Sequence, residues 1–305
     1  MKKLFIFGIG SLTGSKLALL AKNDFQVFGS YNLRNPDIRI EKIRLDILNY
    51  NKVKEVLTNK QPDIIINACA INNVDYCENH KEEAKQINAD FVEYLADTSN
   101  LINAKLIHLS SDSVFDGTKK EPYTEDDLPN SINYYGYSKL AGEKPVLKYS
   151  KNVVVRVSVL YGWLLKSLQN MPSSSMKSEN FGMWLISKLR NGEKVRIITD
   201  EYSSPIIADD FANSILHLIK GNYSGTFHAA PNIKISRYDF SVKLAKALDL
   251  DTSLISPVKS EELGRKVTTG FNKCLDSNKM KNKTGFKFMS LEESFQLLKK
   301  QVYEN

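Results

Sequence analysis

The sequence has little cysteine, no block of like charge and no long apolar run, and each lack removes a class of protein. Cys69, Cys77 and Cys274 form an odd set with no Cys-x-x-Cys spacing. That argues against a disulfide framework and against a zinc site, and it suits a reducing compartment such as the cytoplasm. The four histidines (His80, His108, His217, His228) are dispersed and show no metal-ligand pattern, so no metal is expected. No apolar stretch approaches the ~20 residues needed to cross a bilayer. The short run Leu4-Phe5-Ile6-Phe7 leads into glycines rather than a cleavage site, so neither a membrane span nor a secretory leader is expected. The formal net charge is +7, yet the lysines are scattered and no run of about five or six like charges occurs. A solvated basic surface is a simpler reading than nucleic-acid binding, and the same field suits an anionic small ligand.

What is present is ordinary for a globular chain: 305 residues, 42% hydrophobic and 25% charged. Apolar runs at 4–7, 26–29, 63–67, 106–109 and 153–157 read as buried strands, with a further strand ending at Arg44-Leu45-Asp46-Ile47. Helical patterns at 12–21, 50–58, 82–100 and 134–148 lie between several of them. Strands that are apolar throughout, alternating with helices, predict an α/β fold with a parallel sheet covered on both faces. After about residue 160 the rhythm changes. Segment 163–180, rich in Ser and Met with Pro172, reads as a mobile loop or flap. Helices at 181–191, 210–220, 237–248 and 291–303 and strands at 194–198 and 225–228 follow, with a basic, irregular stretch beyond 248.

The first strand runs into Gly8-Ile9-Gly10-Ser11-Leu12-Thr13-Gly14 and then a helix. Glycine lets backbone N–H groups approach a pyrophosphate at a helix N-terminus, so this turn is expected to bind a dinucleotide through Gly8, Gly10, Ser11, Leu12 and Thr13. After the second strand come Asn32 and Arg34, with no acid to hold a ribose 2′-hydroxyl. A basic residue there accommodates a 2′-phosphate, which favours NADP(H); an Arg34 directed into water is the other reading. Asp46 and Ile47 sit where the adenine would lie, although Asp at a strand end is also a common turn residue.

Two features complete the pattern. Leu109-Ser110-Ser111-Asp112-Ser113-Val114-Phe115-Asp116-Gly117 follows the fifth strand, and Tyr135-Gly136-Tyr137-Ser138-Lys139 opens a helix. Ketone reduction needs a hydride at carbon and a proton at oxygen. A phenol supplies the proton, a lysine one helical turn on favours its ionisation and can hold the nicotinamide ribose, and a serine hydroxyl polarises the carbonyl. Tyr50 and Lys54 have the same spacing but no serine-rich strand end before them, so they read as surface.

At these residues the chain resembles the extended short-chain dehydrogenase/reductases, and more closely the dTDP-4-dehydrorhamnose reductase (RmlD) family. The similar pieces are the glycine turn, Leu45-Asp46-Ile47, Asn67-Ala68-Cys69-Ala70, Val74-Asp75 with Glu78, and Ile87-Asn88-Ala89. The runs starting at Ser110, Tyr135 and Arg156, and 200–205, also match. The resemblance implies a Rossmann-type doubly wound sheet, with residues 1–162 as its NADP-binding core. Residues 163–305 would complete the sheet and form a small C-terminal substrate-binding region. It implies Ser111, Tyr135 and Lys139 as the catalytic triad, and Ala68, Cys69, Ala70 and Asn88 along the cofactor groove. The implied reaction is NADPH-dependent reduction of a 4-keto-6-deoxy sugar nucleotide, as in dTDP-L-rhamnose biosynthesis. Departures fall on the sugar side: Asn72, Ser113 and Val159 stand where the family has Thr, Tyr and Trp. The run 110–148 also resembles the regulatory β subunit of methionine adenosyltransferase. A nucleotide-sugar epimerase or dehydratase on the same scaffold is a further alternative, disfavoured by the missing acid after the second strand. A homodimer is compatible with the sequence, which does not set the oligomeric state.

Overall fold

Alternation along the first strand decides the layering. In β1 (Lys3–Phe7), Leu4 and Ile6 enter one core while Phe5 and Phe7 enter another on the opposite face, because successive side chains of a strand point to opposite sides. The structure, a computed structural model, describes residues 1–176, 179–264, 267 and 269–304. Six further strands join β1: β2 (Gln26–Tyr31), β3 (Glu41–Arg44), β4 (Ile64–Asn67), β5 (Lys105–Ser111), β6 (Val153–Val157) and β7 (Gly225–Ala229). The order is β7-β6-β5-β4-β1-β2-β3, and every pairing is parallel. This is a doubly wound, Rossmann-type sheet. The winding reverses between β1 and β4, which leaves a crevice at the carboxyl ends of those strands.

Helices cover both faces. α1 (Leu12–Ala21) packs Leu17 and Ala18 against Leu4, Ile6 and Ile66. Beside it lies a helix from the second half of the chain, Ala208–Lys220, with Phe211 and Ile215 in the same core. On the other face, α2 (Tyr50–Lys60), α3 (Phe91–Leu101) and α4 (Tyr134–Leu147) bury Val53, Leu57, Leu95 and Val146 against Phe5, Phe7 and Ile65. Each such side chain, fully buried, contributes about 1.5–3 kcal/mol relative to exposure.

The second half builds its own core. Helices Phe181–Arg190, Arg237–Ala247 and Leu291–Glu304 bring together Leu185, Ile186, Phe240, Leu244, Phe295 and Leu298. Strand Val195–Ile198 pairs in parallel with Ile255–Val258, apart from the main sheet. The stretch beyond 248, predicted to be irregular, therefore holds a strand. It also holds a helix, Asn278–Thr284.

The predicted single helix over 82–100 is interrupted. Lys81–Lys85 is α-helical, Gln86–Asp90 is a π-turn, and α3 follows. The extra residue of a π-turn breaks the helical period, and here Asn88 is fully buried: its amide accepts from the Ile71 N–H and donates to the Ile71 carbonyl, both at 3.0 Å. Gly142 of α4 crosses at this point, where a Cβ would run into the Asn88 carbonyl. Asn88 thus braces the chain leaving β4 against α4. It does not line the groove, which corrects the expectation from the resemblance.

Candidate active site

The glycine turn is built by three close approaches. Gly8 has φ +85°, a conformation that L side chains rarely adopt. A Cβ on Gly10 would strike the Arg34 carbonyl, and one on Gly14 the Gly8 carbonyl. Ser11 caps α1, its hydroxyl accepting the Gly14 N–H at 3.0 Å. The result is a helix N-terminus with backbone at its mouth, opening on a cavity of about 1100 Å³ lined by Gly8, Gly10, Ser11, Leu12 and Thr13. This cradle suits a pyrophosphate, whose charge favours the N-terminal end of the helix dipole.

Asn32, Arg34, Asp46 and Ile47 line the same cavity, as do Ala68, Cys69 and Ala70 past the end of β4. Asp46 is exposed and accepts the Leu48 N–H at 3.0 Å. Arg34 does not point into water. It is 9% exposed, and its Nε and Nη2 both donate to the Met171 carbonyl, at 2.9 and 2.6 Å. Met171 belongs to the segment expected to be a flap. That segment is held at several points: the Ser167 hydroxyl accepts the Asp37 N–H, the Ser175 carbonyl accepts the Asn72 N–H, and the Met176 carbonyl accepts from the Asn73 amide. Residues 167–176 therefore strap across the cleft between the loop after β2 and the loop after β4, and residues 177 and 178 of the segment lie outside the described residues.

The three residues expected to carry the chemistry meet in this cavity. Asn133 caps α4 by accepting the Gly136 N–H at 3.0 Å, which starts the helix just before Tyr135. Lys139 lies one turn on and is 2% exposed. The Ser111 hydroxyl at the end of β5 opens on the same cavity as the Tyr135 phenol and acts to lower the phenol's pKa. It also donates to Asp112 Oδ1 at 3.1 Å. Burial, more than any charge, raises the phenol's pKa well above its ordinary value, Ser111 opposing this. Lys139 Nζ donates to the Leu109 carbonyl at 2.7 Å. Burial also lowers Lys139 itself, to about 8. At neutral pH the phenol is an intact acid beside a lysine close to its own midpoint.

Asn72, Ser113 and Val159 line the far part of the cavity. Several of their neighbours were not singled out from the sequence. Asp112 is 5% exposed and receives the hydroxyls of Ser111, Ser113 and Ser158, and burial pushes its pKa up. Lys273 reaches Ser113 Oγ at 3.4 Å. The Arg237 guanidinium lies 4.8 Å from the centre of the Phe181 ring, a cation–π contact at the cavity wall. Asp112 and Ser158 lie inside the matching runs, Lys273 lies in Asn272-Lys-Cys-Leu-Asp276, a stretch that also resembles the family, and Arg237 comes from a distant segment with no local signal.

Comparison with known proteins agrees with this geometry. Over 296 residues, 96% of each chain, the sequence is 30% identical to the probable low-salt glycan biosynthesis reductase of Haloferax volcanii. It is 31% identical over 223 residues to the methionine adenosyltransferase 2 subunit beta of Bos taurus, covering 70% of this chain and 63% of that one. The crystal structure of dTDP-4-dehydrorhamnose reductase from Bacillus anthracis in complex with NADP superposes with a TM-score of 0.86 at 28% identity, covering 98% of this chain and 99% of that one. The model of the RmlD substrate binding domain family matches residues 1–303, and the chain belongs to that family.

Proposed function

We propose that the chain reduces the 4-keto group of a deoxy-sugar nucleotide, of the dTDP-4-dehydrorhamnose type, with NADPH as the hydride donor. The observation that carries this reading is the Ser111–Tyr135 hydroxyl pair, which opens on the same cavity as the capped glycine turn. Its relatives include reductases that act on such sugars by name. Bound along the turn, NADPH supplies a hydride. Ser111 holds the carbonyl oxygen, and Tyr135 gives its proton to the oxygen as negative charge develops there. Lys139 at its shoulder stabilises the phenolate left behind. Arg237 and Lys273 offer positive charge to the diphosphate side of the substrate. All of these groups come from one chain. The test is NADPH oxidation by the purified protein with a panel of keto-sugar nucleotides; no turnover with any 4-keto-6-deoxy member removes the reading.

Two further outcomes are expected. Arg34→Ala weakens NADPH binding by about tenfold or more, the worth of one charge-assisted hydrogen bond, and leaves NADH binding nearly unchanged. Equal weakening of both, measured by fluorescence titration, rules out a 2′-phosphate role. The pH profile of kcat/KM has an alkaline limb. The reaction uses neutral Tyr135 and charged Lys139; Tyr135 stays neutral because burial raises its pKa, so the limb belongs to Lys139 and sets in near about 8. A rate that stays flat to pH 10 contradicts this assignment.

A further inference from the structure

Behind the catalytic pair runs a buried chain of polar groups that the scheme above does not use. The Cys69 backbone N–H donates to Asn67 Oδ1 at 3.1 Å. Asn67 Nδ2 lies 3.3 Å from His108 Nδ1, and His108 Nε2 lies 3.4 Å from Lys139 Nζ. Asn67, the last residue of β4, and His108, its register partner in the middle of β5, are both fully buried. We propose that His108 is a positioning residue for Lys139: held by Asn67 with its proton on Nε2, it donates to the lysine nitrogen and favours the neutral amine.

The assignment follows from donors and acceptors. The backbone N–H of Cys69 is a fixed donor, so the Asn67 atom facing it is the carbonyl oxygen. The other end of the amide is then an N–H₂ group aimed at His108 Nδ1, which must accept. A neutral imidazole that accepts at Nδ1 carries its proton at Nε2, and that N–H faces Lys139. Turning the amide over would set an N–H against the N–H of Cys69 and leave two buried donors unsatisfied, a costly arrangement. A neutral Nζ fits both of its contacts: it donates to the Leu109 carbonyl and its lone pair accepts from Nε2.

The other titratable groups around Lys139 do not reverse this. Cys69, beyond β4, and Cys77, on helix Val74–Asn79, carry thiols that burial pushes up to about 12 and about 11, so both are neutral. Glu143, one turn along α4, favours the charged amine, but its carboxylate is committed to Arg156 and Ser110, and burial outweighs it. Tyr135, on the same helix, is held neutral by burial, and burial keeps His108 uncharged as well. The bearing of this arrangement on turnover rests on the role given to Lys139 above; the tautomer does not.

The experiment uses the full-length protein without substrate. In ¹⁵N-histidine-labelled protein above the Lys139 midpoint of about 8, where the amine is neutral, His108 is expected to show a protonated Nε2 and an unprotonated Nδ1, its signals being assigned by their loss in His108→Gln. A proton on Nδ1 overturns the proposal. In Asn67→Leu the imidazole is free to turn its lone pair to the lysine, and the ¹³Cε titration of Lys139 is expected to move upward by about one pH unit. An unmoved midpoint in folded Asn67→Leu overturns it. Asn67→Asp introduces an acceptor for both Cys69 N–H and Nδ1–H, so the tautomer is expected to reverse; retention of Nε2–H counts against the lock. In the active enzyme, the alkaline limb of kcat/KM is expected to follow the Lys139 midpoint in Asn67→Leu. Should the protein reduce no keto-sugar at all, the functional reading fails while the spectra still decide the tautomer.

Discussion

Tyr135→Phe is expected to lower kcat by about 10²- to 10⁴-fold, the usual contribution of a positioned acid, with NADPH affinity nearly unchanged. The ring is retained, so the packing of the first turn of α4 and the cap on Asn133 survive. Only the hydroxyl is lost, and with it the proton for the carbonyl oxygen. Single-turnover measurements with NADPH in excess separate the chemical step from binding. A variant that keeps more than about half the activity would leave proton delivery to water or another group, and the proposed scheme would fall. A loss of NADPH affinity as large as the loss of rate would instead indicate a distorted groove.

The largest effect on stability is expected at Glu143. Its carboxylate takes Arg156 Nε and Nη2 at 2.9 and 2.7 Å, and accepts the Ser110 hydroxyl. Both side chains are almost completely buried, at 2% and 5% exposure. Arg156 is also stacked over Phe115 at 5.1 Å, and its Nη1 has no hydrogen-bond partner among the described residues. Glu143→Ala therefore strands a guanidinium in the interior, at a cost of about 3–5 kcal/mol. Urea unfolding with an unchanged m-value measures it. The double variant Glu143→Leu/Arg156→Met is expected to recover most of the loss, because an apolar pair of similar volume escapes the desolvation cost. A single variant within about 1 kcal/mol of the parent would show that solvent reaches the pair.

The parts of the site that were legible in the sequence are those written within a few residues of each other. The glycine turn needs only its own spacing and a strand before it, and Tyr135 with Lys139 needs only one helical turn. Contacts across the sheet were not legible. Asn67, His108 and Lys139 come from two strands and a helix, and no local pattern joins them. Lys273 meets Ser113 across 160 residues of sequence. Strand Ile255–Val258 was missed because Pro257 and two exposed positions hide its period; it is tolerated in a two-stranded sheet, where proline's missing N–H leaves no interior ladder bond broken. The π-turn at Gln86–Asp90 has no compositional mark at all. Arg34 was found by its position after β2, but its hold on Met171 depends on a loop 137 residues away.

The helix carrying Tyr135 is anchored mainly by residues that precede position 160. Gly142 nests against Asn88, Glu143 locks to Arg156 of β6, and Asn133 caps the start. Arg237 reaches the cavity from the separately packed core of the second half, and Lys273 from a strand that pairs with Tyr202–Ser203 and is hydrogen-bonded to Ser158. On the proposed scheme, substitution of Arg237 is expected to change which sugar is accepted while leaving the position of Tyr135 unaltered. Such a division of labour would let one reductive engine be refitted to new carbohydrates by changes on its far wall alone.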